Sequence, residues 1–269
     1  PKSGNTWMWL FIKSYFNPPK KKLSLNYHKN DPIMLDGFPN ETKFDELKIN
    51  YENFFDISKN WINLQSLINL NNKINYVKTH NAMCTVNNYK FTDMHNTLGA
   101  IYIVRDPRDV LISYSSYMEK NIDETLKFML NKETYEVGKF KGKIYNRTLI
   151  GSWSDHYNSW KSYKSREILV IKYEDMVNNT SSTFLKVLTY LKKINKIEID
   201  QNKLDNAIEE TSFKNLKSLE MSEGFKTNPS KNVFFRKGVI GDWREKLNKE
   251  QIEKIERAFG AEMVELGYL

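Results

Sequence analysis

The sequence predicts one α/β domain in which a central parallel β-sheet is flanked by helices. The 269 residues suffice for one such domain, taken as residues 1–269, and leave little room for a second. Three short segments are typical of buried strands: residues 74–79 mix β-branched and aromatic residues, residues 99–104 are nearly continuously apolar, and residues 167–172 read EILVIK. Segments with helical periodicity lie between them, and this alternation favours a parallel sheet.

Four helices follow from the pattern of apolar residues. The first is predicted over residues 6–15, where apolar side chains on all sides indicate burial against the sheet. Pro107 suits the first turn of the second, because its missing N–H costs nothing there. Trp153, Tyr157 and Trp160, three and four residues apart, indicate the third. The last has a strongly periodic apolar stripe and a structural role, and the stripe consists of Ile252, Ile255, Phe259, Met263 and Leu266.

The charge of the chain is compatible with an anionic ligand. The formal net charge is +8 and the pI is near 9.2. Because the sequence is crowded with Lys, Asn and Ile, an AT-biased genome is the alternative source of this charge. No base-reading module is recognisable and no apolar run could span a bilayer, so we expect neither a nucleic-acid nor a membrane partner.

Cys84 is the only cysteine. An intrachain disulfide and a cysteine-rich zinc site are therefore excluded, and no metal is expected. A single thiol fits a reducing compartment, and we expect a cytoplasmic location.

A first phosphate-binding feature is the segment PKSGNTW at residues 1–7. A Gly, hydroxyl side chains and a Lys directly before a helix allow backbone N–H groups and the helix N-terminus to face an anion. The segment is not a Walker A sequence, because the G-x-x-x-x-G-K-[ST] spacing is absent, and an ordinary turn is the alternative. The candidate ligand-binding residues are Lys2, Ser3, Gly4, Asn5, Thr6 and Trp7.

Two further segments carry similar features. RDPRDVLIS runs from Arg105 to Ser113 directly after an apolar strand, and the carboxyl end of a parallel strand is where open α/β sheets bind ligands. FRKGVIGDW places Arg236 and Lys237 before Gly238, where a backbone without a side chain can approach a phosphate closely. For each segment the alternative is a charged turn whose side chains pair with their neighbours.

Together these segments resemble the cytosolic sulfotransferase family, and most closely its bacterial members. The opening is similar to the family's P-K-S-G-T-T-W loop for the 5′-phosphosulfate, with Asn5 where the family usually has Thr. The stretch from Arg105 to Ser113 resembles the 3′-phosphate site, and R-K-G-x-x-G-D-W matches from Arg236 to Trp243 at every fixed position. The resemblance extends from residue 1 to about residue 243.

The resemblance implies a P-loop-like phosphosulfate-binding loop and a donor, 3′-phosphoadenosine 5′-phosphosulfate (PAPS), that becomes adenosine 3′,5′-bisphosphate (PAP). It also implies that Lys2 neutralises the leaving group and that Ser113 restrains Lys2 until an acceptor arrives. The implied 3′-phosphate ligands are Arg105, Ser113, Arg236 and the Lys237–Gly238 backbone. The implied adenine contacts are Trp7, Tyr173 in a Y-E-D-M element, and Thr211 and Phe213 in a T-S-F element.

A hydroxyl acceptor needs a base, and His suits that task near neutral pH. His80 follows the strand at residues 74–79, and Lys78 lies on the same side of the extended backbone. The similar K-x-H segment of the family supplies the general base and a Lys near the transferring group. His28, His95 and His156 have no such setting and are interpreted as structural.

The acceptor is predicted only as a small molecule with a hydroxyl or amine. Its pocket is expected near the loops after residue 15 and after His80, the stretch 129–150, and a lid loop at 221–235 that contains Gly224 and Pro229. The aromatic candidates are Tyr27, Phe38, Phe91, Tyr135 and Tyr145, with packing on the core as the alternative. Asn248-Lys249 stands in place of the Thr-Val of a vertebrate dimer motif, so monomer and weak homodimer both stay open.

Three alternatives remain at this point. A nucleotide-dependent small-molecule kinase would need magnesium ligands, for which Asp106 and Asp109 are the nearby candidates. A catalytically inactive nucleotide-binding homologue would not need the intact Lys2, Lys78 and His80. The family's strand before the phosphosulfate loop is expected to be missing from the chain, and an upstream membrane anchor would favour a carbohydrate sulfotransferase.

Overall fold

A computed structural model describes residues 1–17, 22–26, 34–39, 44, 47–71, 73–140, 142–226, 228 and 230–269. Contacts group the chain into two units. The first unit comprises Pro1–Ile33, Ile103–Lys127 and Val170–Leu269, and the second comprises Met34–Tyr102 and Phe128–Leu169. The single domain over residues 1–269 stays a prediction.

The helices and strands alternate along much of the chain. In chain order they are α1 (Asn5–Phe16), β1 (Met34–Phe38), α2 (Phe54–Lys59), α3 (Trp61–Asn69), β2 (Tyr76–Thr79), β3 (Thr85–Val86), β4 (Tyr89–Lys90), β5 (Ala100–Val104), α4 (Pro107–Met118), α5 (Ile122–Leu130), β6 (Tyr135–Phe140), β7 (Lys143–Leu149), α6 (Trp153–Lys161), β8 (Ile168–Lys172), α7 (Tyr173–Asn178), α8 (Thr180–Asn195), α9 (Gln201–Glu210), α10 (Phe213–Glu223), α11 (Trp243–Lys246) and α12 (Lys249–Glu265).

The strands confirm the α/β class and the three predicted strands. β2, β5 and β8 lie within the predicted segments, each a residue or two shorter. β1 and β2 pair in parallel, with Met34 opposite Tyr76. The other pairs among the described strands are β5–β8, β3–β4 and β6–β7.

The first helix is buried as its apolar sequence predicts, but the partners described below lie on helices and not on the sheet. Leu10 and Phe11 are fully buried. The Phe11 ring stacks on Phe184 of α8, with 4.0 Å between ring centres. Leu10 packs with Leu216 of α10 in the first unit's core.

The C-terminal helix has the predicted structural role. Ile255, Phe259 and Met263 of its apolar stripe are buried. α12 begins with a capping box, in which Asn248 and Gln251 exchange hydrogen bonds between side chain and backbone.

The second unit corrects two expectations about its loops and aromatic residues, while the place of the acceptor pocket stays a prediction. The stretch 129–150 is mostly the antiparallel hairpin β6–β7 and not a loop. The strands were not recognised because the alternation of a half-buried strand is interrupted by two apolar residues that face solvent, Val137 and Ile144, which are 60% and 70% exposed.

The second correction concerns the aromatic residues. Phe38, Phe91 and Tyr145 are buried members of the second unit's core, together with Trp61. For these three the alternative of packing on the core is the observed one. Tyr27 lies outside the described residues, as does His28.

The lid loop begins later than predicted. α10 continues through Met221 to Glu223, and Gly224 ends it with φ 69° and ψ 171°. The predicted Pro229 lies outside the described residues. No helix in the described ranges is long and apolar enough to cross a membrane.

Candidate functional site

The loop before α1 requires glycine at residue 4. Gly4 is the N-cap of α1 and has a left-handed φ of 97°. A Cβ there would lie 2.8 Å from the Tyr173 ring, closer than carbon atoms pack. The first turn of α1 has no acidic residue. This helix N-terminus therefore keeps its preference for an anionic ligand.

Three predicted residues meet in one pocket of the first unit. Lys2, Ser113 and Arg236 line it together. The other lining residues are Ser116, Tyr117, Asn228, Ser230, Asn232, Val233 and Phe234. Residues far apart in the sequence thus place two cations and several hydroxyl and amide groups around one opening, a composition suited to a phosphate or sulfate.

Two aromatic rings hold the Lys2 ammonium at this pocket. Its Nζ atom lies 4.2 Å from the centre of the Tyr117 ring and 4.0 Å from that of Phe234. Cation–π contacts of this kind restrict an otherwise flexible side chain. Phe234 belongs to the segment after α10. Its own backbone N–H donates to the Glu220 carboxylate at 2.6 Å.

Arg105 is buried directly after β5. Its guanidinium lies over the Tyr173 ring at 4.2 Å and donates to the carbonyl of Val239 at 3.0 Å. Its Nε atom is buried without a hydrogen-bond partner among the described residues. A buried charged donor left unpaired is costly, so this nitrogen is suited to an anion that the protein binds.

Asp109 joins Arg105 to the last motif. Its buried carboxylate accepts from the backbone N–H groups of Gly241 at 2.7 Å and Trp243 at 3.1 Å. One carboxylate oxygen lies 3.7 Å from the Arg105 guanidinium. Asp109 therefore sets the distance between the RDPRD and RKGVIGDW segments.

Arg236 and Lys237 share a single carboxylate. Each donates to Asp242 at 2.6 Å. Burial raises the pKa of Asp242, but the hydrogen bonds from Lys237 and Arg236 outweigh it and hold the pKa below its usual value. Of the two cations, Arg236 alone lines the pocket with Lys2.

Gly238 packs against the predicted adenine contact Phe213. It has φ 66°, and a Cβ there would lie 2.4 Å from the Phe213 ring. Trp7 lies edge-on to Tyr173, with ring centres 6.2 Å apart. The Trp7 indole nitrogen is buried without a partner among the residues that the structure describes. The first unit thus places aromatic surface beside its anion pocket.

The remaining predicted residues of the first unit are placed less favourably. Thr211 is fully buried, and its hydroxyl donates to the carbonyl of Ala207 at 2.6 Å. The Ser3 hydroxyl donates to the carbonyl of Pro1 at 3.4 Å. Asn5 and Thr6 form the start of α1.

Lys78 and His80 belong to the second unit. Burial lowers the pKa of Lys78 to about 8, partly offset by Glu136. Burial, together with the charge of Lys78, lowers the pKa of His80 well below its usual 6.5. His80 is therefore neutral at pH 7 and has a lone pair available to accept a proton.

His156 is a residue whose setting the sequence did not reveal. Its Nε2 atom lies 3.1 Å from the carbonyl oxygen of His80, and its Nδ1 atom lies 3.0 Å from the hydroxyl of Tyr102. Burial lowers the pKa of His156 to about 3. The other described histidine of the second unit, His95, is exposed.

The observed groups give the first unit a pocket with two cations and several hydroxyl and amide groups, suited to an anion, and they give the second unit a neutral imidazole. Among the described residues there is no group of three or more His, Cys, Asp or Glu side chains placed to hold a metal ion.

Comparison with known proteins gives one family. The sequence model of the family described as 'Sulfotransferase domain' matches residues 1–267 of this chain. The amine sulfotransferase of Oryctolagus cuniculus is 29% identical over 178 residues, which cover 63% of this chain and 56% of that protein. The 3-beta-hydroxysteroid sulfotransferase of Cavia porcellus is 31% identical over 175 residues, which cover 61% of this chain and 55% of that protein. The chain spans about half the length of the curated relatives it matches.

Two solved structures have a similar fold. Mouse sulfotransferase SULT7A1, complexed with PAP, aligns with a TM-score of 0.62 and 22% identity over 98% of this chain and 81% of that one. Retinol dehydratase in complex with androsterone and PAP aligns with a TM-score of 0.59 and 18% identity over 97% of this chain and 78% of that one. At these identities the likeness shows the fold.

Proposed function

This chain belongs to the sulfotransferase family, and we propose that it transfers a sulfuryl group from PAPS to a hydroxyl or amine of a small molecule. The observation that carries the proposal is the pocket in which Lys2, Ser113 and Arg236 meet. A pocket with two cations and a hydroxyl is what a nucleotide with phosphates at two positions needs.

The residues fit such a nucleotide. The buried Nε atom of Arg105 has no partner among the described residues and can donate to a phosphate oxygen. Gly238 lets its backbone pack closely against the Phe213 ring, because a Cβ there would lie 2.4 Å from the ring. Trp7 and Tyr173 supply further aromatic surface for an adenine. PAP is the ligand named for both similar solved structures, and we extend it to this chain as part of the proposal.

When bound, PAPS supplies an activated sulfuryl group whose leaving group is the 5′-phosphate of PAP. Lys2 lowers the barrier by neutralising the negative charge that grows on that phosphate. The rings of Tyr117 and Phe234 fix the Lys2 ammonium before the reaction, so little reorganisation is needed. We propose Arg105, Ser113 and Arg236 as anchors of the 3′-phosphate.

His80 is the proposed general base. It is neutral because burial and Lys78 lower its pKa, and a neutral imidazole can take the proton of a hydroxyl as the acceptor attacks. The same lowered pKa makes it a weak base in the free protein. Lys78, with a pKa of about 8, stays mostly protonated at pH 7 and is proposed to hold the sulfuryl oxygens.

The kinase alternative is weaker, because its candidate magnesium ligands already have protein partners. Asp106 accepts from the Arg108 guanidinium at 2.8 Å, and Asp109 accepts from two backbone N–H groups. The inactive-homologue alternative is opposed by the neutral His80 beside Lys78. Two curated relatives are named for amines and for hydroxysteroids, so we propose acceptors from both classes.

Calorimetric titration tests the proposal. We expect PAP to bind with a Kd on the order of 1 µM without magnesium. Adenosine 5′-monophosphate, which lacks the 3′-phosphate, should bind at least about tenfold more weakly, because it leaves the Arg105 and Arg236 anchors unpaired. A preference for ATP with a magnesium requirement would overturn the proposal in favour of the kinase.

A further inference from the structure

The backbone that carries His80 is held by one face of helix α6. His156, Ser159 and Trp160 are spaced three and four residues apart, so their side chains lie on the same face. Each makes a hydrogen bond to the backbone of the segment that follows β2. All of these contacts lie within the second unit.

Two of the three contacts lie beyond His80. The Trp160 indole N–H donates to the carbonyl of Asn81 at 3.0 Å. The backbone N–H of Met83 donates to the Ser159 hydroxyl at 3.0 Å. Asn81 is itself fully buried and accepts from the backbone N–H of Leu149 at 2.8 Å.

The third contact is to His80 itself, and its direction can be assigned. The partner of His156 Nε2 is the carbonyl oxygen of His80, which can only accept, so Nε2 carries the proton. In a neutral imidazole Nδ1 then accepts, and the hydroxyl of Tyr102 donates to it at 3.0 Å. Burial raises the pKa of Tyr102, which therefore keeps its proton. The Tyr102 hydroxyl thus fixes one tautomer of His156.

We propose that His156 is a positioning residue for His80. The Nε2–H group of His156 holds the His80 backbone, and Tyr102 keeps His156 in the tautomer that has this N–H. The catalytic consequence rests on the proposed function, in which His80 is the base. A base works only when its nitrogen is held within hydrogen-bond reach of the acceptor proton. Loss of the His156 donor leaves the His80 carbonyl half-buried without this partner and frees the residue to rotate.

The experiment compares His156→Ala, His156→Gln and Tyr102→Phe in the full chain, with His95→Ala as the matched histidine control. Gln can donate from an amide nitrogen at a similar reach, so it tests the donor separately from the ring. Three quantities are measured for each variant: turnover with a phenol or amine acceptor, the Kd for PAP, and the NMR resonances of the His80 ring.

We expect His156→Ala to lower kcat by about tenfold or more while the Kd for PAP stays within about twofold. His156→Gln should recover most of the loss, Tyr102→Phe should give a smaller loss, and His95→Ala none. The His80 resonances should shift or broaden in His156→Ala and return towards the wild-type positions in His156→Gln.

Two results would overturn the inference. One is a His156→Ala variant with wild-type turnover and unmoved His80 resonances. The other is a folded His156→Gln variant that loses as much as His156→Ala, because the ring would then act by filling space. If the wild-type protein transfers no sulfuryl group, the proposed function fails, and the His80 resonances alone decide whether His156 positions His80.

Discussion

The Nζ atom of Lys2 lies 4.0 Å from the centre of the Phe234 ring. A residue of the phosphate loop is thus held by the segment that follows α10, and the Tyr117 ring contacts the same ammonium. The contact links the proposed leaving-group cation to the wall of the pocket. It is therefore open to test by a change that leaves Lys2 in place.

We expect Phe234→Leu to weaken binding of PAP by about two- to fivefold. The change removes one cation–π contact, worth about 0.5–1 kcal/mol, that restricts the Lys2 side chain. Phe234→Tyr keeps a ring and should bind normally. Calorimetry on the wild type and the two variants measures the Kd for PAP. Equal Kd values for Phe234→Leu and Phe234→Tyr would contradict a role for the ring.

Arg236 and Lys237 offer a matched pair. Both donate to Asp242 at 2.6 Å, but of the two only Arg236 lines the pocket. We expect Arg236→Gln to weaken PAP binding by about 1.5–3 kcal/mol, the worth of a hydrogen bond to a charged group. Lys237→Gln should cost much less. A larger loss for Lys237→Gln, measured by the same titration, would mean that Lys237 is the anchor.

Replacement of His80 by Ala should separate chemistry from binding. General-base catalysis contributes about 100- to 10,000-fold, so most turnover should disappear. The Kd for PAP should change little, because the anchors belong to other residues. Single-turnover assays at saturating donor measure the loss, and a His80→Ala variant with full turnover would rule out His80 as the base.

Gly238→Ala tests the close packing on Phe213. A Cβ at residue 238 would lie 2.4 Å from that ring, whereas a Cβ at Gly142, also at positive φ, would meet nothing within 4 Å. Gly142→Ala should therefore cost only the backbone strain, about 1 kcal/mol. Gly238→Ala should cost a further 1–3 kcal/mol or so from overpacking, and should also weaken PAP binding. Urea unfolding of both variants checks the difference, and equal losses would contradict it.

The buried His156 predicts a pH dependence of stability. Its pKa is about 3 in the folded protein, because of burial, and about 6.5 in the unfolded chain. Below pH 6.5 the unfolded chain binds a proton that the folded protein does not, so stability falls as the pH falls towards 3. The slope is up to about 1.4 kcal/mol per pH unit.

His156→Gln removes this titration. The wild type should therefore lose stability faster than the variant as the pH falls from 7.5 to about 5, so the difference between their unfolding free energies should shrink. Burial lowers the pKa of His80 as well, but His80 is present in both proteins and its contribution cancels. Urea titrations at several pH values measure it. A difference that is constant across this range would show that folding does not lower the pKa of His156.

The sequence predicted the strands and helices whose burial leaves a clear pattern. β5 is continuously apolar and none of its residues is exposed, whereas α12 carries an apolar stripe because only one of its faces is buried. The hairpin β6–β7 was missed, since exposed Val137 and Ile144 interrupt the alternation that marks a half-buried strand. The start of the lid loop was placed too early, because polar residues such as Ser222 suit a loop and an exposed helix equally.

The residues of the candidate site could be predicted where they lie next to one another in a short sequence motif. Gly238 and the adjacent cations could be recognised from local spacing. The contact of His156 with His80 could not, because neither residue's neighbourhood in the sequence indicates which distant backbone carbonyl it meets. The spacing of His156, Ser159 and Trp160 shows only that the three share a helix face.

The pocket around Lys2 also bears on how the protein is made. Phe234 and Arg236, which complete the pocket, are synthesised more than two hundred residues after Lys2. At the usual speed of synthesis this interval is roughly 10–50 s. During that time Leu10 and Phe11 of α1 lack their partners Leu216 and Phe184. The nascent chain therefore exposes an apolar helix to chaperones until these partners have been made, and a chain that stops before residue 228 cannot assemble the pocket.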